Sequence, residues 1–353
     1  MKNLSRSFSH LTIGLDLGNK QSDYCIVDKA SMVVGRGKVK SHREAFRTLL
    51  SAYPGALVVC EVGGHSRWVQ QLVESLPLEI LVANARQIAL INKSHRKNDK
   101  RDAELLATVG ACMPRMLQKV VHKGDQFYAD LAVIETRNLL TAERTKLTNR
   151  IKGLCKAQGE SLSIRGGRAF HKKAPECIPE LLQPGTAPLF AMLEKIDEQL
   201  VAIDKVLDAM AQRYPVTAKL RQIHGVGIQT ALTFVLTICD SSRFSNSRDV
   251  AAYLGLVPRQ RASGNCDPQL PISKAGDGNL RRLLVLCAHY ILSRGKDCHL
   301  RRWGLALCER GGKNGKKRAC VAVARKLSVV MLALWKSGED YDPMRNVHEV
   351  VAA

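Results

Sequence analysis

Acids, aromatic rings and paired cysteines are all scarce in this chain. Its 353 residues hold 32 Asp and Glu against 54 Lys and Arg, a formal charge of +22. Such a chain repels itself unless a polyanion is present, and nucleic acid is the usual one. Aromatic residues make up 5%, which argues against a single-strand reader that stacks bases and for a protein that tracks phosphates. The 11 cysteines include no C-x-x-C pair, and Cys298 beside His299 matches no common zinc spacing. Neither a zinc site nor a disulfide framework is expected. No apolar run approaches the ~18 residues of a membrane span, and the stretch Ser5 to His10 is too polar for a signal peptide. The expectation is a cytoplasmic, nucleoid-associated protein with reduced thiols and no membrane partner.

What is there has a clear order. "LTIGLDLGNKQSDYCIV" (residues 11–27) reads as two strands around a polar turn, and "SMVVGRGKVK" as a third. "HREAFRTLLSAY" is an amphipathic helix, "ALVVCE" a fourth strand, "SRWVQQLVESL" a helix and "LEILVAN" a fifth strand. Three strands in series followed by helix–strand alternation predict a mixed sheet with helices on its faces. Residues 130–158 then read as one long helix, and a second carries Leu189, Leu193, Ile196, Leu200, Ile203, Leu207 and Met210. Steps alternating between four and three form a coiled-coil seam, whose partner helix lies either in the same chain or in another subunit. After Pro215, "KLRQIHGVGIQTALTF" has a helix-hairpin-helix-like form with Gly225 and Gly227 in the turn. The organisation expected is an α/β domain over 11–129, long helices over 130–214 and a mainly α domain over 215–345.

The few acids matter because of where they fall. Asp16 sits in the middle of "IGLDLG", among apolar neighbours, where an unpaired buried carboxylate would be costly. Glu61 ends the fourth strand, and neighbouring strands would bring the two together. Asp99 and Asp102, three apart in "SHRKNDKRDAELLA", share a helix face inside a basic cluster. Converging carboxylates repel unless cations neutralise them. Magnesium or manganese fits an all-oxygen set, and two such ions ~4 Å apart clamp both sides of a phosphodiester. Taken alone, a D-x-x-D within a charged helix is more often a solvated face.

The order Asp16, Glu61, Asp99-x-x-Asp102 resembles a ribonuclease-H-like, RuvC-type core. "AYLGLVPRQRASGN" followed by "ISKAGDGNLRRLL" resembles the C-terminal domain of the IS110/IS1111 family of DEDD transposases, and the resemblance runs from about residue 11 to 335. It implies metal-dependent cutting and rejoining of DNA, with Ser263 of "RASGN" as a nucleophile held transiently as a phosphoserine. It also implies double-stranded donor and target DNA as substrates and a structured guide RNA encoded by the element; the coiled-coil seam and a reaction on several strands favour a dimer or tetramer. Two departures are Asn98 where relatives carry Thr, and the acidic, proline-bearing "NCDPQLP" (residues 265–271) after the serine.

Cations expected to meet nucleic acid fall in four groups. Lys97, Lys100 and Arg101 surround the paired acids, and Arg144 and Arg150 lie on the first long helix. Lys274, Arg281 and Arg282 belong to the second motif block. Lys316, Lys317, Arg318 and Arg325 lie in the stretch from Arg310 to Lys326, which has seven Lys and Arg and no acid. Other readings stay open at this level: a site-specific invertase of the Piv type, a RuvC-like junction nuclease, and a non-catalytic basic RNA-binding scaffold. An ATPase of the actin/hexokinase kind would need a second D-x-G loop, and none is found.

Overall fold

The computed structural model describes residues 11–84, 99–117, 119–120, 122–259, 270–310 and 312–345, the side chains of 99, 100 and 116 excepted. It forms two compact units, one ending at Lys123 and one beginning at Gly124.

The first unit is built on a five-stranded sheet in the order β3-β2-β1-β4-β5. The strands are β1 (Thr12–Asp16), β2 (Gln21–Val27), β3 (Val33–Lys40), β4 (Leu57–Glu61) and β5 (Glu79–Ala83). β1, β2 and β3 run antiparallel, while β1–β4 and β4–β5 are parallel. Alternation along β1 and β4 divides the faces. Ile13, Leu15, Val58 and Cys60 pack on one face with Phe46 and Leu50 of α1 (Arg43–Ser51) and Val69, Leu72 and Val73 of α2 (Ser66–Glu74). The other face is covered by α3 (Asp99–Cys112), whose Leu106 and Val109 meet Leu57 and Val59. Asp16 is the last residue of β1 rather than a mid-strand one. The chain turns away through Leu17 and Gly18 towards β2, so the carboxylate stands half-buried at a strand end.

In the second unit α4 (Asp125–Ala157) and α5 (Gln183–Gln212) form an antiparallel hairpin. Leu193 packs with Ile151 and Cys155 at one end, and Leu207 and Met210 with Ile134 at the other. The heptad seam of α5 is therefore filled from within the chain, and Leu200 is buried there. Acids stitch the same seam. Asp204 accepts from Arg137 at 2.7 Å and from Arg168, and Asp197 accepts from Arg144 at 3.3 Å and lies 2.8 Å from His171 Nδ1. Asp130 accepts from Tyr214 at 2.7 Å, from Gln126 and from Arg213. Burial pushes the Asp130 carboxyl up, but those hydrogen bonds outweigh it and hold it below the usual range.

Residues 130–214 and 215–345, read apart in the sequence, share one unit. Leu232 and Leu236 of α6 (Ile228–Ile238) pack on Ile134, Leu207 and Met210, so apolar contact continues across Pro215. A second core joins α7 (Gly278–Arg294), α8 (His299–Arg310) and α9 (Gly315–Ser337) with Leu220, Phe244, Val250 and Leu254 from the chain before them.

Candidate active site

One corner of the sheet concentrates acids. The parallel register of β1 and β4 pairs Leu15 with Cys60, and continuing it by one residue sets Asp16 beside Glu61. Strands about 4.8 Å apart make these near neighbours. Both point to the α3 face, because Thr12, Gly14 and Asp16 alternate with the Ile13 and Leu15 of the opposite face. Cys60, between strand core and Glu61, is inert: burial first, and the charge of Glu61 second, push its thiol up to about 12.

The position of α3 depends on Gly14. A Cβ there would lie 2.1 Å from the carbonyl oxygen of Ala103 and 2.4 Å from the amide nitrogen of Ala107. Only a glycine lets the helix backbone rest directly on β1. From Ala103, above Gly14, one turn back towards the helix N-terminus rises about 6 Å. Two residues along β1 from Gly14 to Asp16 rise about 7 Å. The first turn of α3, with Asp99 and Asp102, is thus level with Asp16. Asp102 shares the helix stripe of Leu106 and Val109, which lies over β4. Asp16, Glu61 and Asp102 do not by themselves form a three-ligand metal cluster among the described residues, and the side chain of Asp99 lies outside them. Asp16, Glu61 and Asp102 offer only carboxylate oxygens, the donor type that hard divalent cations take.

Sequence reading passed over a further acid. Asp23 pairs in register with Asp16, shares its face, is buried, and lies 3.6 Å from Lys38 Nζ. The period-two cations of "GRGKVK" were the available signal for that partner.

Ser263 lies outside the described residues, as does Lys97, but the base of the serine segment is described. Arg259 N–H donates to Pro271 at 3.0 Å, Ser273 N–H to Val257 at 2.8 Å and Lys274 N–H to Gly255 at 3.1 Å. These bonds make a short antiparallel stem that brackets residues 260–269. Gly255 has φ +67°, and a Cβ on it would sit 2.2 Å from Ala275 N, so the stem closes only around glycine. Arg281 donates from one guanidinium nitrogen to the carbonyls of Leu254 at 2.9 Å and Ala275 at 2.7 Å, tying the two arms together.

Arg281 was expected to face nucleic acid, as was Arg144. Both are engaged internally, Arg281 on these carbonyls and Arg144 on Asp197. Removing Arg281 (Arg281→Ala) should loosen the stem without unfolding the unit, because charged hydrogen bonds contribute about 1.5–3 kcal/mol each. Amide exchange at Ser273 and Lys274 should accelerate about tenfold or more while the melting temperature moves little; unchanged exchange would reject the clamp.

The remaining cations are placed as follows. Arg101, Arg150, Lys274, Arg282, Lys316, Lys317, Arg318 and Arg325 are exposed, Arg282 donating to Asn138 and Asn279. The side chain of Lys100 is among those not described. Lys316, Lys317 and Arg318 occupy the first turn of α9, where the helix dipole disfavours cations by about 0.3–1 kcal/mol each. A surface that accepts this cost suits a bound polyanion.

A mixed sheet with acids at neighbouring strand ends, covered by a helix that carries two more, defines a ribonuclease-H-like DEDD domain. The family model for IS110-type DEDD transposases matches residues 13–157, and that of the transposase IS116/IS110/IS902 family matches 217–302. The chain is 30% identical to the transposase for insertion sequence element IS1111A of Coxiella burnetii, over 96% of its own length and 94% of that protein's. It is 27% identical to the transposase for IS1328 of Yersinia enterocolitica, over 80% of this chain and 84% of that one. To the pilin gene-inverting protein of Moraxella lacunata it is 30% identical over 37% of this chain and 39% of that one. The chain belongs to the IS110 family of insertion-sequence transposases. Transposases cut DNA, so the scaffold and ATPase readings fall away. Among the described residues no helix is long and apolar enough to cross a membrane.

Proposed function

We propose that the acid corner of β1, β4 and α3 holds one or two divalent cations, magnesium or manganese, and that Ser263 is the nucleophile that takes the cut DNA covalently. The observation that carries this reading is the in-register pair Asp16 and Glu61 beneath a helix that Gly14 brings down level with them. Asp16, Glu61, Asp99 and Asp102 are the ligands. When bound, such ions neutralise charge building on the attacked phosphate.

The serine oxygen bonds to phosphorus as one P–O bond to deoxyribose breaks. Its proton passes through water to the departing sugar oxygen. One DNA end is then held as a phosphoserine diester and the other leaves as a hydroxyl. Attack by the hydroxyl of a second strand reverses these bonds and joins the new pair. Donor and target duplexes are chosen through a structured RNA encoded by the element, and several strands require a dimer or tetramer. The unfavourable first-turn cations of α9 support a phosphate contact there.

The test is covalent trapping on a nicked suicide duplex carrying the element's end. Wild-type protein with magnesium should give an adduct that survives denaturation, and neither EDTA-treated nor Ser263→Ala protein should. Full recombination by Ser263→Ala would reject the serine and leave hydrolysis by the four acids.

A further inference from the structure

Edge strand β3 carries charges that the chemistry above leaves unused. Arg36, Lys38 and Lys40 alternate along it, opposite Cys25, Asp23 and Gln21 of β2. Alternate residues share a face. That face is the one under α3, since Arg36 reaches Glu104 of α3 at 3.7 Å. At one level of the sheet the order is therefore Glu61, Asp16, Asp23, Lys38. Two strand spacings put the Cα of Lys38 about 10 Å from that of Asp16. Despite their acid neighbours, the side chains of Arg36 and Lys38 stay 56% and 54% exposed. Beyond them Lys20 and Lys40 line a shallow groove of about 450 Å³ with Gln21, Ser41 and His42, and no acid lines it.

We propose that this face of β3 is a rail for the phosphodiester backbone of the DNA strand being cut, leading from the Lys20–Lys40 groove to the acid corner. It rests on the reading of that corner as the cutting site. Charge complementarity names the occupant: a line of cations beside carboxylates that need metal suits a polyanion crossing from one to the other. Alternate strand residues stand about 6.7 Å apart, twice the 3.4 Å rise per phosphate along one strand of duplex. Edge lysines also block sheet-to-sheet pairing. That purpose needs charge on either face, whereas here all three cations lie on the acid-bearing one, with Gly37 and Val39 between them. Lys38 has a second part, as partner of the buried Asp23 beside Asp16.

The test uses the full chain in EDTA, so that binding is read without cutting. In the triple variant Lys20→Gln, Arg36→Gln, Lys40→Gln, Lys38 stays in place to hold Asp23. The slope of log K against log salt for an element-end duplex should fall by about 2–3, each lost contact contributing roughly 0.9 on duplex and 0.7 on single strand. Single methylphosphonate linkages within three nucleotides of the cut phosphate should weaken wild-type binding about tenfold and the variant's hardly at all. An unchanged slope, or equal methylphosphonate penalties in both proteins, would overturn the rail. Aggregation of the variant with an unchanged slope would assign the cations to edge protection. Loss of binding to structured RNA with DNA binding intact would overturn the choice of strand. The underlying site reading fails separately, if Asp16→Asn protein cuts as fast as wild type.

Discussion

Gly14→Val is expected to unfold the first unit 10–20 °C early and to abolish cutting even where the unit stays folded. The added Cβ would fall 2.1 Å and 2.4 Å from main-chain atoms of Ala103 and Ala107, and backbone cannot rotate aside as a side chain can. The helix must lift. Overpacking of this kind costs about 1–3 kcal/mol or more, and 1 kcal/mol moves the melting temperature of a domain this size by about 4–8 °C. Lifting α3 also carries the first helical turn away from Asp16 and Glu61, so activity falls further than stability. Gly35→Ala is the matched control in the same sheet, because its Cβ would meet Ile26 at an ordinary 3.5 Å. Calorimetry on the full chain with a strand-cutting assay reads both effects. Equal melting of Gly14→Val and Gly35→Ala would show that the close approach carries no weight.

Asp16→Asn should do the reverse, losing activity while keeping the fold. The swap keeps shape and removes one charge from a corner shared with Glu61 and Asp23. Asparagine keeps the hydrogen-bonding shape and lowers the repulsion from Glu61 and Asp23, so the variant should melt close to the wild-type temperature in EDTA. Magnesium should raise the wild-type melting temperature, because a ligand that binds only the folded state stabilises it, and the variant should lose that response. Cutting should fall at least ~100-fold, since metal-borne charge stabilisation is worth several kcal/mol and each 1.36 kcal/mol is tenfold in rate. A variant that kept its magnesium shift would remove Asp16 from the ligand set.

The sheet was legible in the sequence because β3 alternates, β4 is a short apolar run ending in an acid, and each turn is punctuated. The helix opening at Asp99 was legible for the same reason, from its spacing of three. What escaped depended on tertiary partners. A heptad seam shows that α5 buries Leu193, Leu200 and Leu207, but nothing in the pattern says that α4 of the same chain fills it. Arg144 and Arg281 resemble exposed cations until Asp197 and the carbonyls of Leu254 and Ala275 are brought to them. Asp23 was missed because antiparallel register, not sequence distance, sets it beside Asp16.

The polar pairs of the hairpin also answer a question that leucines leave open, namely which of several offsets two heptad helices adopt. Arg137 and Arg144 stand seven apart on α4, and their partners Asp204 and Asp197 stand seven apart on α5. Slide α5 by one heptad one way and Asp204 meets Arg144, while Asp197 is buried against Ile151 with no base. Slide it the other way and Asp204 faces Asp130. Either offset leaves a carboxylate unpaired or opposed in a partly buried seam, which is unfavourable, although the apolar contacts would be almost as good. The charges thus act as a key with a single fit. The hairpin can change length over evolutionary time only by gaining or losing whole heptads on both helices together, about 10.5 Å per step.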